Sequence, residues 1–365
     1  MIAKVFLLLE LFNSASADLF RRYSNDEPLI IPTKYTTESY VFDLDIELRI
    51  EGDRTNVNWK LPIYSYCDHS HYFFDKDDAF FKAIDMRIAK DYIGATISFA
   101  DDPQKFKFGG HLHLFNMPYQ PDSFRGLLCL KAPYSGNELT ISLLRPFKTK
   151  TISFWFDTSV AAATLQQTPD TQTGEVIFGG INQQRFVADS SVQFKLKNLF
   201  DIRNNPKGWI TNDLVTILIQ GKEGGARRNV YFDIGEVESI VPQNMYDALV
   251  FPMKSVLVDP LSRKYFVNSD NTNQINQFSG PRTNPEYFPC EQGQKLRSFK
   301  LNDIVVPKEY LFKRVSGNDC VLTVLPHTST DQSYLLIGFG ILKNFHLQVT
   351  FNKAAGSTLT ISQRA

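Results

Sequence analysis

The stretch VYFDIGEVESIVP, residues 230–242, carries the most distinctive local pattern of the chain. Apolar residues lead up to Asp233, and Gly235 follows after a single intervening residue. Ile240 and Val241 then form a second apolar run that ends at Pro242. Because glycine lets the backbone turn tightly, the pattern indicates a carboxylate presented at a turn that follows a buried strand. Such a carboxylate is a candidate for acid–base chemistry.

Period-2 alternation dominates the rest of the chain. Residues 42–51 (FDLDIELRIE) alternate apolar and charged side chains, which is typical of a strand with one buried face. Further strand-like runs, separated by Gly, Pro, Asn and Asp, are KFKFGGHLHLF, TISFWFDT, TGEVIFGG, SSVQFKLK, LVTILIQG and HLQVTF. Helical patterns are limited to DDAFFKAI and PQNMYDALV. We therefore predict an all-β fold with two β-rich halves that meet near residue 196, and exposed polar loops at 166–174 and 268–286.

The composition is that of a large folded protein with no charge bias. Of its 365 residues 43% are hydrophobic, and 30 are phenylalanine. Lys plus Arg and Asp plus Glu number 39 each, so the formal net charge is zero. Because a neutral chain has no overall field to hold a polyanion, nucleic acid is not expected as a partner. An enzyme adapted to strongly acidic fluid is not expected either, since its surface would be rich in acidic residues.

The N-terminus resembles a secretory signal. Residues 1–17 combine Lys4, the apolar run VFLLLELF and the small-residue site Ala15-Ser16-Ala17. Glu10 interrupts the apolar run, so a buried N-terminal strand or helix is the alternative. No later stretch approaches the roughly 18 apolar residues of a membrane span, and four cysteines fit an oxidising compartment. We expect a cleaved signal peptide, a short N-terminal segment at 18–37, and a secreted or luminal product.

Five longer motifs occur in a characteristic order, and each resembles a segment of the pepsin-like aspartic peptidases. They are EVIFGGINQQRF, KGWITNDLVTILIQG, VYFDIGEVESIVPQNMYDAL, FKLNDIVVPKEYLFK and LLIGFGILKNFHLQVTFNKAAGSTLTIS. The resemblance implies a bilobal all-β fold, with an N-terminal lobe at 38–195, a C-terminal lobe at 196–365 and a cleft between them. It also implies a disulfide between Cys290 and Cys320. The pairing of Cys67 with Cys129 is left open by the sequence.

Catalysis in this family needs two carboxylates, one from each lobe, held about 3 Å apart so that they share a proton. The resemblance assigns Asp233 and Gly235 to the Asp-Thr-Gly motif of the second lobe. Ile234 replaces the threonine whose hydroxyl bonds across to the other lobe. Glu236 and Val237 replace the small hydroxyl residues that normally follow. The second-lobe motif is therefore altered but recognisable.

The first lobe has no Asp-Thr-Gly or Asp-Ser-Gly in the corresponding window, EGDRTNVNWKLPIYSYC at 51–67. Counting forward without gaps from Tyr40 places Asn58 at the aspartate. Counting back from Pro62 places Asp53 there instead. We favour Asn58, because an apolar valine leads into it, and keep Asp53 as the alternative.

Two supporting features of the family's site are also altered. In FRGLLCLKAP, Cys129 stands at the glycine that packs under the first catalytic loop. The flap that closes over substrate carries a tyrosine followed by a glycine-rich turn, and the resemblance places Tyr92 there. Gly94 is kept, but the second flap glycine is Ala95. An ordinary strand tyrosine is an equally good interpretation of Tyr92.

These departures predict a catalytically degenerate member of the family. The expected protein is a pseudo-peptidase that cleaves no peptide bond and whose interlobe cleft binds a peptide or protein ligand. We expect a monomer with no cofactor, no metal and no membrane span. One alternative is an active aspartic endopeptidase that pairs Asp233 with Asp53. A structural or storage protein is the third hypothesis.

Overall fold

The computed structural model describes these parts of the chain: residues 27–35, 42–50, 56–64, 73–75, 92–99, 107–115, 126–129, 144, 147–157, 174–197, 209–222, 225–235, 238–253, 287–327, 334–352 and 356–365. Between residues 34 and 129 the description covers the backbone of the strands and the side chain of Ser98.

Strands make up most of the described residues, which confirms the predicted all-β class. In the first half they are β1 Leu29–Tyr35, β2 Phe42–Ile50, β3 Asn56–Tyr64, β4 Phe73–Asp75, β5 Tyr92–Phe99, β6 Lys107–Phe115, β7 Gly126–Cys129, β8 Thr151–Phe156, β9 Gly174–Phe178 and β10 Val192–Lys195. In the second half they are β11 Trp209–Ile210, β12 Val215–Ile219, β13 Ala226–Asp233, β14 Ser239–Val241, β15 Tyr287–Pro289, β16 Phe299–Leu301, β17 Ile304–Val306, β18 Phe312–Ser316, β19 Asp319–Leu322, β20 Val324–Pro326, β21 Tyr334–Gly338, β22 Phe345–Thr350 and β23 Thr358–Gln363.

Helices are short. The described residues contain α1 (Gln243–Val250), which matches the predicted PQNMYDALV pattern, and α2 (Phe339–Leu342), which follows β21 directly. Turns of 3-10 helix lie at Gln183–Arg185, Phe251–Met253, Cys290–Lys295 and Lys308–Tyr310. The predicted DDAFFKAI helix lies outside the described residues, as do most of the two predicted loops.

Strands from both halves of the chain meet in one antiparallel array with the order β10-β23-β22-β8-β9-β1. We call this array the joining sheet. Its β8 strand alternates, so that Ile152, Phe154 and Phe156 face a buried core. Phe154 packs against Trp209 of β11, with ring centroids 6.0 Å apart. The apolar face of the joining sheet therefore forms a core shared with second-half strands.

Two further arrays have the same internal order. In the first half the order is β2-β3-β7-β4-β6, and in the second half it is β12-β13-β21-β14-β20. In both, the successive pairings are antiparallel, parallel, antiparallel and parallel. An antiparallel strand also joins each array at the same place, β5 on β2 and β16 on β12. The two halves are thus built on one repeated strand plan.

Candidate active site

Asp233 is the last residue of β13, which is buried on alternate residues. Val230 and Phe232 are buried and Tyr231 is half-buried, as the period-2 pattern requires. The Asp233 side chain is 5% exposed. The backbone N–H of Gly235 donates a hydrogen bond of 2.9 Å to Asp233 Oδ1. The glycine predicted to form a turn therefore also bonds the carboxylate that precedes it.

The chain after Asp233 crosses the end of another strand. β13 and β14 are consecutive in sequence, but β21 lies between them in the sheet, parallel to β13 and antiparallel to β14. In this register Asp233 pairs with Gly338, the last residue of β21. Asp233 therefore lies at the C-terminal end of β13, next to the C-terminal end of β21.

Ser239 fastens this crossing. Its side chain is fully buried, and its Oγ accepts a 2.9 Å hydrogen bond from the backbone N–H of Gly338. Ser239 thus bonds the residue that pairs with Asp233. Sequence analysis did not single it out. A lone serine at the start of the apolar run Ile240–Val241 was the available signal.

Asp233 and Gly338 are each followed in sequence by a buried apolar residue. Ile234 is fully buried and carries no hydroxyl, so it cannot supply the threonine-type hydrogen bond across the lobes. Phe339 follows Gly338, and its ring packs edge-on against Phe156 at the end of β8, with centroids 4.9 Å apart. The start of α2, next to Gly338, therefore packs against the apolar face of the joining sheet.

The first half repeats this crossing with other residues. β3 and β4 are consecutive, and β7 lies between them, parallel to β3 and antiparallel to β4. The register pairs Tyr64, the last residue of β3, with Cys129, the last residue of β7. Since Asp233 and Gly338 are the corresponding last residues in the second half, Tyr64 stands at the register position of Asp233.

Comparison with known proteins identifies the architecture. No protein-family model matches the chain, and no curated protein matches it either. Among solved structures, the chain is similar to the crystal structure of an aspartic proteinase from Irpex lacteus, with a TM-score of 0.61 and 9% sequence identity. The match covers 93% of this chain and 98% of that chain. The chain has the bilobal pepsin-like aspartic-peptidase fold. At this identity the likeness shows the fold alone.

Asn58, the residue favoured from sequence for the first-lobe aspartate position, lies away from the end of β3. Asn58 lies in the interior of β3, where it pairs with Glu47 of β2, six residues before Tyr64. β3 runs for nine residues and pairs with β7 at Ile63 and Tyr64, so Asn58 does not share the register position of Asp233. The alternative, Asp53, lies outside the described residues, between β2 and β3.

The expected flap turn also differs. Tyr92 is the first residue of β5 and pairs with His113 of β6. Gly94 and Ala95 continue the same strand, paired with His111 and Gly110, so the chain does not turn after Tyr92. The segment that connects β5 to β6 follows Phe99, at the other end of the ladder. The ordinary strand interpretation of Tyr92 fits this register better than the flap interpretation.

Cys290 and Cys320 form a disulfide, the pairing that the family resemblance implies. It connects the 3-10 turn after β15 to β19, and so brackets the β16–β17 hairpin in sequence. Cys129 ends β7, and Cys67 lies outside the described residues, so their pairing stays a prediction.

A second buried polar pair lies at the opposite end of β21 from Asp233. His327 Nε2 and the Tyr334 hydroxyl are 2.6 Å apart, and both side chains are buried. In the part of the chain that the structure describes, no group of three or more His, Cys, Asp or Glu side chains is arranged to hold a metal ion. Among the described helices, none combines the length and apolar character needed to cross a lipid bilayer.

Proposed function

We propose that this protein is a secreted pseudo-peptidase: a monomer with the pepsin-like fold, without a working pair of catalytic carboxylates, whose cleft binds an extended peptide or a protein partner. The observation that carries the proposal is the register of the two crossings. Asp233 pairs with Gly338 in the second lobe, and Tyr64 pairs with Cys129 in the first.

The chemistry of the family explains why this register matters. Two carboxylates about 3 Å apart share one proton, and this sharing lets one act as base while the other acts as acid. A tyrosine has an ordinary pKa near 10 and stays protonated throughout the acidic range in which carboxylate pairs work. Tyr64 at the first-lobe position therefore supports loss of the proton-sharing pair.

The residues around Asp233 support the same proposal. Ile234 is buried and apolar where the family has a hydroxyl. Even so, the Gly235–Asp233 and Gly338–Ser239 hydrogen bonds hold the loop in place. A second-lobe site that is ordered but lacks its partner is suited to binding rather than to bond cleavage.

An active enzyme that pairs Asp233 with Asp53 is the second candidate, and strand geometry disfavours it. Asp53 precedes Asn56, the first residue of β3, whereas the crossing lies at Tyr64. Eight residue steps of about 3.3 Å place these two ends of β3 roughly 26 Å apart. A carboxylate beyond Asn56 would have to bridge that length to replace Tyr64. A structural or storage role, the third hypothesis, has no supporting observation of its own.

Secretion is part of the proposal. The Cys290–Cys320 disulfide is the kind of bond that persists in an oxidising compartment, and the signal-like N-terminus at 1–17 fits the same route.

The proposal is tested by incubating the purified, folded protein with an unfolded protein substrate from about pH 3 to pH 6, the working range of a carboxylate pair, with and without pepstatin. We expect no pepstatin-sensitive cleavage. The matched control is Asp233→Ala, which should behave like the parent protein in this assay. Pepstatin-sensitive cleavage that disappears in Asp233→Ala would overturn the proposal, because it would require a second carboxylate in the cleft.

A further inference from the structure

A segment between β9 and β10 lies across the polar face of the joining sheet. It comprises residues 182–191, includes the 3-10 turn Gln183–Arg185, and is called the strap below. Asn182 caps that turn by accepting a hydrogen bond of 3.1 Å from the Gln184 backbone N–H. The strap is remote in sequence from Asp233 and belongs to neither crossing.

The strap is fastened to the sheet by charge and by stacking. Arg185 forms a salt bridge with Glu175 of β9, whose side chain is buried. The Arg185 guanidinium also lies over the ring of Trp155 on β8, 3.8 Å from the ring centroid. Arg364, just after β23, approaches the same ring at 5.5 Å. Two cations therefore converge on one aromatic ring.

Backbone and hydroxyl contacts fasten the other end of the strap to β23. Phe186 pairs with Arg364 in an isolated β-bridge. The Val187 N–H donates to the Gln363 carbonyl at 2.9 Å, and Ser190 Oγ accepts from the Gln363 N–H at 3.0 Å. Each of these contacts can form only while the strap lies on the sheet.

His346 lies beneath the strap. It is the second residue of β22, pairs with Ser362 of β23, and is 1% exposed. The Phe186 ring covers the imidazole, with centroids 4.8 Å apart and planes inclined by 32°. Within the described residues, His346 Nε2 is fully buried and has no hydrogen-bond partner. A proton on Nε2 would therefore find no acceptor among the described residues.

The charges around His346 offer little compensation for a positive charge on the imidazole. The charged or titratable groups on the surrounding elements include acids, bases and one tyrosine. They are Glu175 of β9, Asp157 after β8, Arg185 and Asp189 of the strap, Arg364 after β23, Lys343 before β22, and Lys308, Glu309 and Tyr310 of the 3-10 turn that packs on Phe345. Glu175 is already paired with Arg185, and Asp189 is exposed. Burial lowers the pKa of His346 to about 4.

We propose that His346 is an acid-sensitive lock: while neutral it lets the strap close over the joining sheet, and when protonated it forces the strap open. An imidazolium needs water or an acceptor, and it reaches water only if Phe186 lifts away. Opening the strap releases the Arg185–Glu175 and Val187–Gln363 contacts together. The closed form is thus the form of neutral surroundings, in contrast to enzymes of this fold that work in acid.

The direction of the pH effect follows from linkage. The open or unfolded state has the ordinary histidine pKa near 6.5, and the closed state has the lower value of about 4. Between these values the open state binds a proton that the closed state does not, so closure weakens as the pH falls. It is fully present above about pH 6.5, and the ratio of open to closed forms rises on the order of a hundredfold by pH 4.

Hydrogen exchange of the full chain, read by mass spectrometry at pH 7 and at pH 4 to 5 and corrected for intrinsic exchange rates, tests this. We expect strap peptides to lose protection in acid in the parent protein. The loss should be absent in His346→Gln and in His346→Phe, neither of which can gain the proton. The matched control is His327→Gln, a buried histidine that bonds Tyr334 instead of lying under the strap, and its strap should still open.

Unchanged strap protection in the parent protein between the two pH values would contradict the lock. So would an acid-induced loss of equal size in the His346 variants. If both variants fail to fold, the imidazole NMR titration of the parent protein decides. A folded-state histidine titrating near 4 is the expected result, and titration of every folded-state histidine above about 6 would overturn the proposal.

Discussion

At the scale of single residues, two hydrogen bonds hold the second-lobe loop although Ile234 has no hydroxyl to offer. Gly235 bonds the Asp233 carboxylate, and Gly338 bonds Ser239. The second bond joins β21 to β14 at full burial. Ser239 therefore acts as a positioning residue, because it fixes the strand whose last residue pairs with Asp233.

Ser239→Ala should lower the free energy of unfolding by about 1–3 kcal/mol, because it leaves the buried Gly338 N–H without its acceptor. Denaturant unfolding measures the change. Ser190→Ala is the matched control: Ser190 also accepts from a backbone N–H, but at an exposed site, where water can replace the hydroxyl. Its cost should be no more than about 0.5 kcal/mol. An equal loss of unfolding free energy in the two variants would contradict a larger stabilising contribution from the buried Ser239 hydrogen bond.

The position of Asp233 at the end of a buried strand could be predicted from sequence, whereas the matching register position of Tyr64 could not, for a physical reason. Apolar residues, an aspartate and a glycine within six positions are a local signal. The partner position in the first lobe is set by the pairing of β3 with β7, more than sixty residues away in sequence, and no local pattern fixes that register. The apolar lead-in Leu61-Pro62-Ile63 before Tyr64 was the one available hint, and gapless counting passed over it.

At the scale of elements, the period-2 runs were found because one face of each strand is buried. The predicted runs at 42–51, 151–158 and 346–351 overlap the observed strands β2, β8 and β22. Strands of two to four residues, such as β11, β14 and β20, have no period to detect. The burial of His346 beneath the strap could not be predicted, because the period-2 pattern of β22 assigns the polar His346 side chain to the solvent-facing side of the strand.

The β16–β17 hairpin depends on Asn302, which adopts a positive φ of 51°. Its Oδ1 also accepts from the Thr216 N–H on β12 at 2.9 Å. Asn302→Ala loses the bond and strains the backbone, so it should cost about 2 kcal/mol. Asn302→Gly loses the bond alone and should cost about 1 kcal/mol. Denaturant unfolding of both variants checks the order, and a glycine variant less stable than the alanine variant would contradict it.

At the scale of the whole molecule, the two lobes share one sheet. β1, β8, β9 and β10 come from the first half of the chain, and β22 and β23 come from the second. The Phe156–Phe339 contact packs the start of α2, which follows β21, against this sheet. The two arrays have the same strand order, and this order, which is visible only in the topology, shows that Tyr64 and Asp233 occupy corresponding strand ends.

The most direct test of the central claim is a cysteine cross-link across the cleft. In this fold the two dyad positions face each other, so Asp233→Cys combined with Tyr64→Cys should be joined by a short thiol-reactive cross-linker in the folded protein, as mapped by peptide mass spectrometry. The matched pair is Asp233→Cys with Asn58→Cys, six residues earlier on the same strand, and it should remain unlinked. Cross-linking through position 58, or through neither position, would contradict the assignment of Tyr64 to the place of the missing aspartate.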